Sequence, residues 1–485
     1  MAEENIREFD VIVIGAGAVG ENVADRVVRG GLTAAIVETE LVGGECSYWA
    51  CIPSKALLRP GTALHTAQSV PGAADSVTKV LDAAPVLKYR DYFTNKWQDD
   101  GAVQWLVDTG IELIRGRARI TGPREVQVDG KDGNSYSLKA HHAVVVATGS
   151  TPVIPTIEGL SEVPYWTTRG ATSAQSIPGR FVVLGGGIAG VEMAQAFARL
   201  GSAVSLVARS RLVGTFPEEA ADLLAAGLRA DGVHLHIGVD TTRVEHKDQS
   251  FRVTLGDGTD LECDQLLVAT GRRPALENLG LENVGLDAED GKALRLTTDP
   301  SGLVEGAASD GTSGLWLYAA GDAAGTPFLT HQGKYEARAT GDAIVARAKG
   351  TLRGTPKPWS SLAKTANEHA VPSVVFTDPE LASVGLSLEK AHANGIKASA
   401  VELPINVSGS QLHSDNFKGW AQLVIDEDRK VVVGATFAGP GVAELLHGAT
   451  IAIVGEVPLD RLWHAVPSFP TMSEVWLRLL EKYGL

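Results

Sequence analysis

Short apolar runs alternate with glycine-rich turns and helical stretches along the first part of the chain. Residues 9–14 (FDVIVI) form one such run, GAGAVG follows, a helical stretch extends to about Gly31, and residues 33–38 (TAAIVE) form the next run. Uninterrupted apolar strands are typical of a parallel sheet that is covered on both faces. The pattern therefore predicts a βαβ unit near the N-terminus.

A similar unit returns at residues 179–209 (GRFVVLGGGIAGVEMAQAFARLGSAVSLVAR). Between the two units, VVVATGST at 144–151 predicts a buried strand that runs into a turn, and QLLVATGRRP at 265–274 repeats that arrangement. SGLWLYAAGDAAG at 313–325 predicts a further strand that ends in Gly-Asp. Two units of this kind in one chain indicate two dinucleotide sites.

The pattern changes near residue 356. The segments VPSVVFTDPELASVGLS and FKGWAQLVIDEDRKVVVGATFAG predict antiparallel strands, with a turn at DEDRK. A long amphipathic helix is predicted from about Gly441, and another at SEVWLRLLEKY. The fold class that follows is α/β, with two doubly wound nucleotide-binding domains and a C-terminal α+β domain.

Composition narrows the function classes. The 485 residues are 44% hydrophobic and 21% charged, which is typical of a globular protein of about three domains. A net charge of −15 argues against nucleic acid or an anionic membrane as partner. No apolar run is long enough to span a bilayer, the charged start MAEENIREFD does not resemble a signal peptide, and the three cysteines are too few for a secreted scaffold. We therefore expect a cytoplasmic protein.

The first glycine-rich motif has the form GxGxxG. Gly15 allows the tight turn, Gly17 lets a pyrophosphate approach the backbone, and Gly20 lets the helix pack on the strand. Glu38 follows 18 residues after Gly20, at the end of the second strand, where a carboxylate binds ribose hydroxyls. The start of the helix attracts phosphate charge. This context predicts a bound dinucleotide.

The second motif has the same spacing, with glycines at Gly185, Gly187 and Gly190. Here the second strand ends in Ala208-Arg209, and Arg211 follows two residues later. No carboxylate stands where one would bind a 2′-hydroxyl, whereas arginine suits a 2′-phosphate. The second unit is therefore predicted to prefer NADPH, with NADH as the alternative if both arginines are solvated surface charges.

Cys46 and Cys51 lie in the stretch GGECSYWACIPSK, and three interpretations compete for them. A zinc site needs further Cys or His ligands, and no second cluster at ligand spacing is present, so no metal site is expected. A structural disulfide is disfavoured in a reducing compartment. A redox couple fits best, because a helix start stabilises a thiolate and a flavin exchanges electrons with one.

These motifs together resemble the class I pyridine nucleotide-disulfide oxidoreductases, the family of dihydrolipoamide dehydrogenase, glutathione reductase and mercuric reductase. GAGAVG, the cysteine pair, ATGS, GGGIAGVE, ATGRRP and AAGD occur in the family's order. The resemblance implies FAD on the first unit, a nicotinamide nucleotide on the second, and a homodimer built through the C-terminal domain. The implied domains are 1–155 with 275–355 for FAD, 156–274 for NAD(P)H, and 356–485 for dimerisation.

The resemblance also implies roles for single residues. Cys51 would face the flavin and Cys46 the acceptor, while Lys55 would lie beside flavin N5 with Glu192 as its partner. The expected FAD contacts beyond the glycine motif and Glu38 are Thr148, Gly149, Asp322 and Thr330, and Gly271 joins the expected NADPH contacts. His331 is either a flavin contact or a helix cap, and Cys263 is expected to be structural.

The sequence departs from the family near its C-terminus. In VPSFPTMSE, Pro470, Thr471, Ser473 and Glu474 match the family pattern, but Phe469 replaces the histidine that protonates a leaving thiolate. A positioned general acid contributes roughly 10²–10⁴-fold to rate. His464 and His447 are candidate substitutes, although packing or surface roles fit both better.

The predicted function is therefore that of an FAD-dependent NAD(P)H oxidoreductase with a redox-active Cys46–Cys51 disulfide. Its acceptor, a small molecule or metal ion, is expected to differ from a standard small disulfide. The alternatives are a dihydrolipoamide dehydrogenase-like enzyme, a mercuric or other metal-ion reductase, and an NADPH-quinone reductase acting at the flavin. Loss of redox chemistry, or inert cysteines, are the rival hypotheses. Tyr48 and Trp49, between the cysteines, either pack the active-site helix or narrow the site.

Overall fold

A computed structural model describes residues 6–287, 294–308, 315–325 and 327–485. The chain forms two compact units. Unit 1 comprises Met1–Cys51, Thr94–Pro152 and Arg272–Asn367, and unit 2 comprises Ile52–Phe93, Val153–Gly271 and Glu368–Leu485. The three domain ranges expected from the sequence stay a prediction.

The strands in chain order are β1 Arg7–Ile14, β2 Ala34–Glu38, β3 Glu112–Gly122, β4 Glu125–Gly130, β5 Ser135–Val146, β6 Ser150–Pro152, β7 Arg180–Leu184, β8 Ala203–Ala208, β9 His234–Ile237, β10 Thr241–Lys247, β11 Ser250–Leu255, β12 Asp260–Cys263, β13 Gln265–Val268, β14 Arg272–Pro274, β15 Leu317–Ala319, β16 Ser373–Val375, β17 Glu380–Gly385, β18 Ala398–Pro404, β19 Trp420–Asp426 and β20 Val431–Gly439. The helices are α1 Ala18–Arg29, α2 Gly44–Tyr48, α3 Cys51–Gln68, α4 Ala83–Phe93, α5 Asp100–Thr109, α6 Thr168–Thr172, α7 Ile188–Arg199, α8 Glu218–Ala230, α9 Thr330–Ala348, α10 Ala366–His369, α11 Leu388–Ala393, α12 Ser408–His413, α13 Leu446–Val454, α14 Leu459–Leu462 and α15 Glu474–Tyr483.

Unit 1 is built on a parallel sheet with strand order β3-β2-β1-β5-β15, and β4 joins the far halves of β3 and β5 in antiparallel pairing. Successive side chains of β1 enter two different cores. Val11 and Val13 pack with helix α1, whereas Ile12 and Ile14 pack with β3 and β4 residues on the other face. Because both faces are covered, the strand must be apolar throughout, which explains the run FDVIVI. The predicted first βαβ unit is confirmed.

Unit 2 contains a parallel sheet of order β13-β7-β8-β9, which confirms the second βαβ unit, and an antiparallel sheet of order β10-β11-β12. Its C-terminal part is an antiparallel sheet of order β16-β17-β20-β19-β18. The turn between β19 and β20 falls on the predicted DEDRK. The α/β fold class with an added α+β part is confirmed.

The structure corrects one predicted helix and confirms one predicted strand in the second half of the chain. The long helix expected from Gly441 is wrong: Gly441 has a positive φ, a single tight turn follows, and α13 covers only Leu446–Val454. Gly455 and Pro458 end it, because glycine is a weak helix former and proline cannot continue a helix. The strand predicted at 313–325 is confirmed at Leu317–Ala319, while residues 313 and 314 lie outside the described residues.

Among the described residues, none of the helices combines the length and the apolar character that crossing a membrane requires.

Candidate active site

The first glycine-rich turn lies in unit 1, between β1 and α1. Gly15 has a φ of +104°, and a Cβ there would lie 2.4 Å from the Ala147 carbonyl oxygen. A Cβ on Gly20 would lie 1.9 Å from the carbonyl oxygen of Gly15. Gly17 caps α1, and the nearest atom to a Cβ there is 3.9 Å away. The turn is thus tightly packed behind and open at the helix start, as a phosphate site requires.

Glu38 lies at the end of β2 and its carboxylate points back to this turn. One oxygen accepts the backbone N–H of Ala16 at 2.8 Å, and the other accepts the N–H of Glu40 at 2.7 Å. The two hydrogen bonds fix the carboxylate beside the glycine motif. This is the geometry that the sequence spacing predicts for a ribose-binding acid.

A half-buried polar network in unit 1 was not found by sequence reasoning. Arg272 donates to the hydroxyl and the carbonyl oxygen of Ser150, both at 2.7 Å, and to Glu45 at 2.9 Å. Ser150 in turn donates to Asp322. Burial raises the pKa of Asp322, and the Ser150 hydrogen bond and the Arg272 charge oppose the rise. The signal in the sequence was Arg272 itself, within the ATGRRP motif.

Thr148 and Gly149 form the turn that follows β5. The Thr148 hydroxyl donates to the carbonyl of Ala275 at 2.7 Å, and Ala275 N–H donates to the carbonyl of Gly149 at 3.0 Å. Both residues therefore hold the segment after β14 in place. Their contact with FAD stays a prediction.

The cysteine pair lies at the adjoining ends of two helices. Cys46 is on α2, Cys51 is the first residue of α3, and both are half-buried free thiols. Cys51 Sγ lies 3.2 Å from Oγ1 of Thr330, the first residue of α9. The hydrogen bond with Cys51 is the main cause that raises the pKa of Cys46, followed by burial. Stabilisation of a thiolate within the pair by a helix start stays a prediction.

Lys55 and Glu192 form a salt bridge within unit 2, with Nζ and Oε2 2.7 Å apart. Glu192 lies on α7 with 2% of its side chain exposed, and its other oxygen accepts the backbone N–H of Phe376 at 3.0 Å. The Lys55 ammonium also lies 4.9 Å from the centre of the Phe376 ring. The pairing that the resemblance implied is therefore present, since a buried carboxylate needs such partners.

The second glycine-rich turn repeats the first in atomic detail. A Cβ on Gly185 would lie 2.3 Å from the Ala269 carbonyl, and one on Gly190 would lie 1.9 Å from the Gly185 carbonyl. Around Gly187 and Gly271, no atom would lie within 4 Å of an added Cβ. The space beside α7 is thus open in unit 2, as in the first turn.

Arg209 and Arg211 follow β8 and are exposed. Arg211 donates to the carbonyl of Gly214 at 2.9 Å, which holds this loop. Ala208, at the end of β8, stands 18 residues after Gly190, the spacing at which Glu38 follows Gly20. Binding of a 2′-phosphate by the two arginines stays a prediction.

The altered C-terminal stretch places Phe469 at the surface, with 75% of the residue exposed. Glu474 begins α15 and is buried, and one of its carboxylate oxygens has no hydrogen-bond partner among the described residues. His464 and His447 are both exposed. That Glu474 lacks the partner which a histidine would provide stays a prediction.

The structure also shows the surroundings of Tyr48, Cys263 and His331. Tyr48 is 6% exposed and its hydroxyl donates to the Gln98 carbonyl, so it packs the active-site helix. Cys263 is fully buried, and burial raises its pKa to about 12. His331 is exposed at the second position of α9. Within the described ranges, no group of three or more His, Cys, Asp or Glu side chains is arranged to hold a metal ion.

Two protein-family models match this chain. Residues 9–346 match the model of the pyridine nucleotide-disulphide oxidoreductase family, and residues 371–479 match the model of that family's dimerisation domain. The chain belongs to the pyridine nucleotide-disulphide oxidoreductase family. It is therefore an enzyme of the flavin-dependent disulfide oxidoreductase class, as the sequence predicted.

Relatives of two kinds are similar over nearly the whole chain. A dihydrolipoyl dehydrogenase of Thermus scotoductus is 31% identical over 97% of this chain and 96% of its own length. A mercuric reductase of Staphylococcus aureus is 29% identical over 96% of this chain and 81% of its own length. Among solved structures, the HOCl-induced flavoprotein disulfide reductase RclA from Escherichia coli is 24% identical with a TM-score of 0.79, over 97% of this chain and 99% of that chain. Its Cu(II) complex is 23% identical with a TM-score of 0.80, over 98% and 99%.

The family depends on FAD and uses nicotinamide nucleotides. The residues of unit 1 fit FAD, because the helix start at Gly17 is open and Glu38 is fixed beside it. Half-buried Asp322, which accepts a hydrogen bond from Ser150, adds a carboxylate that can accept from a hydroxyl-bearing chain. The open helix start at Gly187 fits a second nucleotide.

Proposed function

We propose that this enzyme oxidises NADPH with FAD as its cofactor and cycles Cys46 and Cys51 between dithiol and disulfide. Bound FAD supplies two-electron transfer between a nicotinamide and a thiol pair. The observation that supports the proposal is the contact of Cys51 with both Cys46 and Thr330. Two adjoining thiols beside a helix start are the arrangement that a reversible disulfide needs.

Separate residues support the thiol pair and the two nucleotides. Thr330 is placed to donate to a Cys51 thiolate, and α9 begins at that residue, so its helix start adds positive charge. Cys46 holds its proton in the dithiol, because Cys51 and burial both raise its pKa. The Glu192 carboxylate holds the Lys55 ammonium in position through their salt bridge. We assign Gly15, Gly17, Gly20, Glu38 and Asp322 to FAD, and Gly185, Gly187, Gly190, Arg209 and Arg211 to NADPH.

We propose an acceptor other than glutathione disulfide or lipoamide. Reduction of a small disulfide needs a proton donor for the leaving thiolate, and exposed Phe469 cannot carry a proton. A soft metal ion avoids this requirement, since thiolates bind soft metals directly. A quinone avoids it because it is reduced at the flavin and no thiolate leaves. The mercuric reductases among the relatives lend support to a metal ion. A homodimer built through residues 371–479 follows from the matched dimerisation domain.

An acceptor panel tests the proposal. Purified FAD-loaded enzyme is assayed with NADPH and with NADH against lipoamide, glutathione disulfide, quinones, Hg²⁺ and Cu²⁺. We expect quinone or metal-ion turnover that is faster with NADPH and at least tenfold above lipoamide turnover, given the missing acid. A lipoamide rate equal to the best quinone or metal rate would favour a dihydrolipoamide dehydrogenase instead.

Two variants sharpen the panel. Phe469→His should raise lipoamide or glutathione disulfide turnover by about tenfold or more, because it returns a proton carrier next to Glu474. Phe469→Leu is the matched control and should not. Cys51→Ala should abolish turnover that passes through the thiols. If Cys51→Ala keeps full activity with every acceptor, the cysteines are inert and the flavin acts alone.

A further inference from the structure

Residues 95–99 form a short segment of unit 1 with an unusual backbone. Asn95, Lys96 and Trp97 have φ values of +45°, +51° and +56°. Asparagine tolerates this left-handed region, but lysine and tryptophan rarely adopt it. Such a conformation persists only where surrounding contacts enforce it, and it clusters at functional sites.

Two contacts of this segment lead to the helix that carries Cys46. The Trp97 indole N–H donates to the carbonyl of Tyr48, the last residue of α2, at 3.0 Å. The Tyr48 hydroxyl lies 3.4 Å from the carbonyl of Gln98, which also accepts from the Asn95 amide at 2.9 Å. Cys46 therefore sits on a helix whose end is held by this turn.

The other end of the same segment is held by Asp99. Its carboxylate accepts the backbone N–H of Val42 at 2.7 Å and a guanidinium N–H of Arg115 at 2.5 Å. Arg115 also donates to the carbonyl of Glu40. Asp99 therefore holds the chain just before α2, and Trp97 holds the last residue of α2.

We propose that residues 95–99, here called the strap, set the redox equilibrium of the Cys46–Cys51 pair by holding α2 in place. Trp97 and Asp99 are its positioning residues. This inference rests on the proposed function. Oxidation joins the two Sγ atoms and releases two electrons and two protons, so it depends on how often the two sulfurs lie within bonding distance. A loosened α2 lowers that frequency and favours the dithiol.

The test equilibrates FAD-loaded enzyme with mixtures of dithiothreitol and its cyclic disulfide, which accepts both electrons and both protons. Alkylation and mass spectrometry then give the fraction of Cys46 and Cys51 in the disulfide. Trp97→Phe and Asp99→Asn should each shift the equilibrium constant roughly fivefold toward the dithiol, the effect of one lost hydrogen bond, or about 20 mV. Trp105→Phe and Asp108→Asn on α5 are the matched controls and should not.

Lys96→Gly distinguishes the backbone strain of the strap from its role in positioning α2. It keeps the hydrogen bonds of the strap while removing an exposed left-handed lysine, so the equilibrium should stay at the wild-type value and the melting temperature should rise. If Trp97→Phe and Asp99→Asn match their controls, or if Lys96→Gly shifts the equilibrium as they do, the strap has no such role.

The outcomes distinguish the two proposals. A wild-type enzyme that never forms the disulfide overturns the proposed function and this inference together, whereas normal wild-type behaviour with unshifted variants overturns this inference alone. Hydrogen exchange on wild-type enzyme decides the matter if both variants misfold. Residues 44–48 and 95–99 should open together, and independent opening contradicts the strap.

Discussion

The two glycine-rich turns of this protein are nearly identical in backbone geometry and different in charge. In each, the last glycine packs against the carbonyl of the first, so an added Cβ would lie 1.9 Å from that oxygen in both. In each, the second strand ends 18 residues later. The first ends in Glu38 and the second in Ala208, with Arg209 after it. Glycine thus determines the backbone geometry of both turns, whereas the two strand ends differ in charge. We propose that this difference in charge selects the nucleotide.

A second difference lies directly after each motif. Glu21 follows Gly20 in the first turn of α1, whereas Val191 follows Gly190 and is fully buried. Burial, aided by the charge of Glu38 and opposed by that of Lys334, raises the pKa of Glu21 to about 7. The residue after the last glycine is therefore an ionisable carboxyl in the first motif and a buried apolar side chain in the second.

The largest expected effect tests what the turns share. Gly20→Ala should abolish FAD retention and Gly190→Ala should abolish NADPH oxidation, each destabilising its unit by about 3 kcal/mol or more, because the clash is with backbone. Gly187→Ala is the control, since its Cβ meets no protein atom within 4 Å. It should keep the wild-type melting temperature and lose only nucleotide affinity. A stable, active Gly190→Ala enzyme would contradict the packing argument.

Glu38→Gln tests the acidic end of the first unit. Glutamine keeps an acceptor for the Ala16 N–H but loses the charge, so FAD affinity should fall about tenfold, as for a lost charge-assisted hydrogen bond. Fluorescence titration of FAD into apoenzyme measures it. The neighbouring Glu40→Gln serves as control. Unchanged affinity would remove Glu38 from the ribose site.

Replacing Arg209 and Arg211 together by alanine tests the basic end of the second unit. The KM for NADPH should rise about tenfold while the KM for NADH stays constant, because only NADPH carries the 2′-phosphate. Arg252→Ala, at an exposed arginine of β11, is the matched control. Equal changes for both nucleotides would show that the arginines are solvated surface charges.

The smallest expected effect concerns Glu21. Because its folded pKa lies near 7 and its ordinary pKa is 4.5, its stabilising share is present below about pH 4.5 and is lost as pH rises through about 7. Glu21→Gln should therefore match wild type at pH 4 and gain about 1 kcal/mol, or ~2 °C in melting temperature, at pH 8. Thermal unfolding at both pH values measures it. Exposed Glu218→Gln on α8 should show no such pH-dependent gain.

The candidate site was predicted unevenly. The glycine motifs, Glu38, the cysteine pair and the Lys55–Glu192 pairing were visible, because motif spacing or family resemblance marks them. The network of Arg272, Ser150 and Glu45 and the grip of Trp97 and Asp99 were not. Those contacts join residues that lie tens to hundreds of positions apart, so no motif with short spacing predicts them.

The order of the elements and the two glycine-rich turns could be predicted from the residues alone, because apolar periodicity and the steric demands of glycine are local properties of the chain. Three features of the site became visible only in the folded protein. Cys51 and burial raise the pKa of Cys46, Tyr48 packs the active-site helix, and Glu474 is buried with one oxygen unpaired among the described residues. Proton affinity and burial depend on neighbours that folding brings together, and a linear pattern does not contain those neighbours.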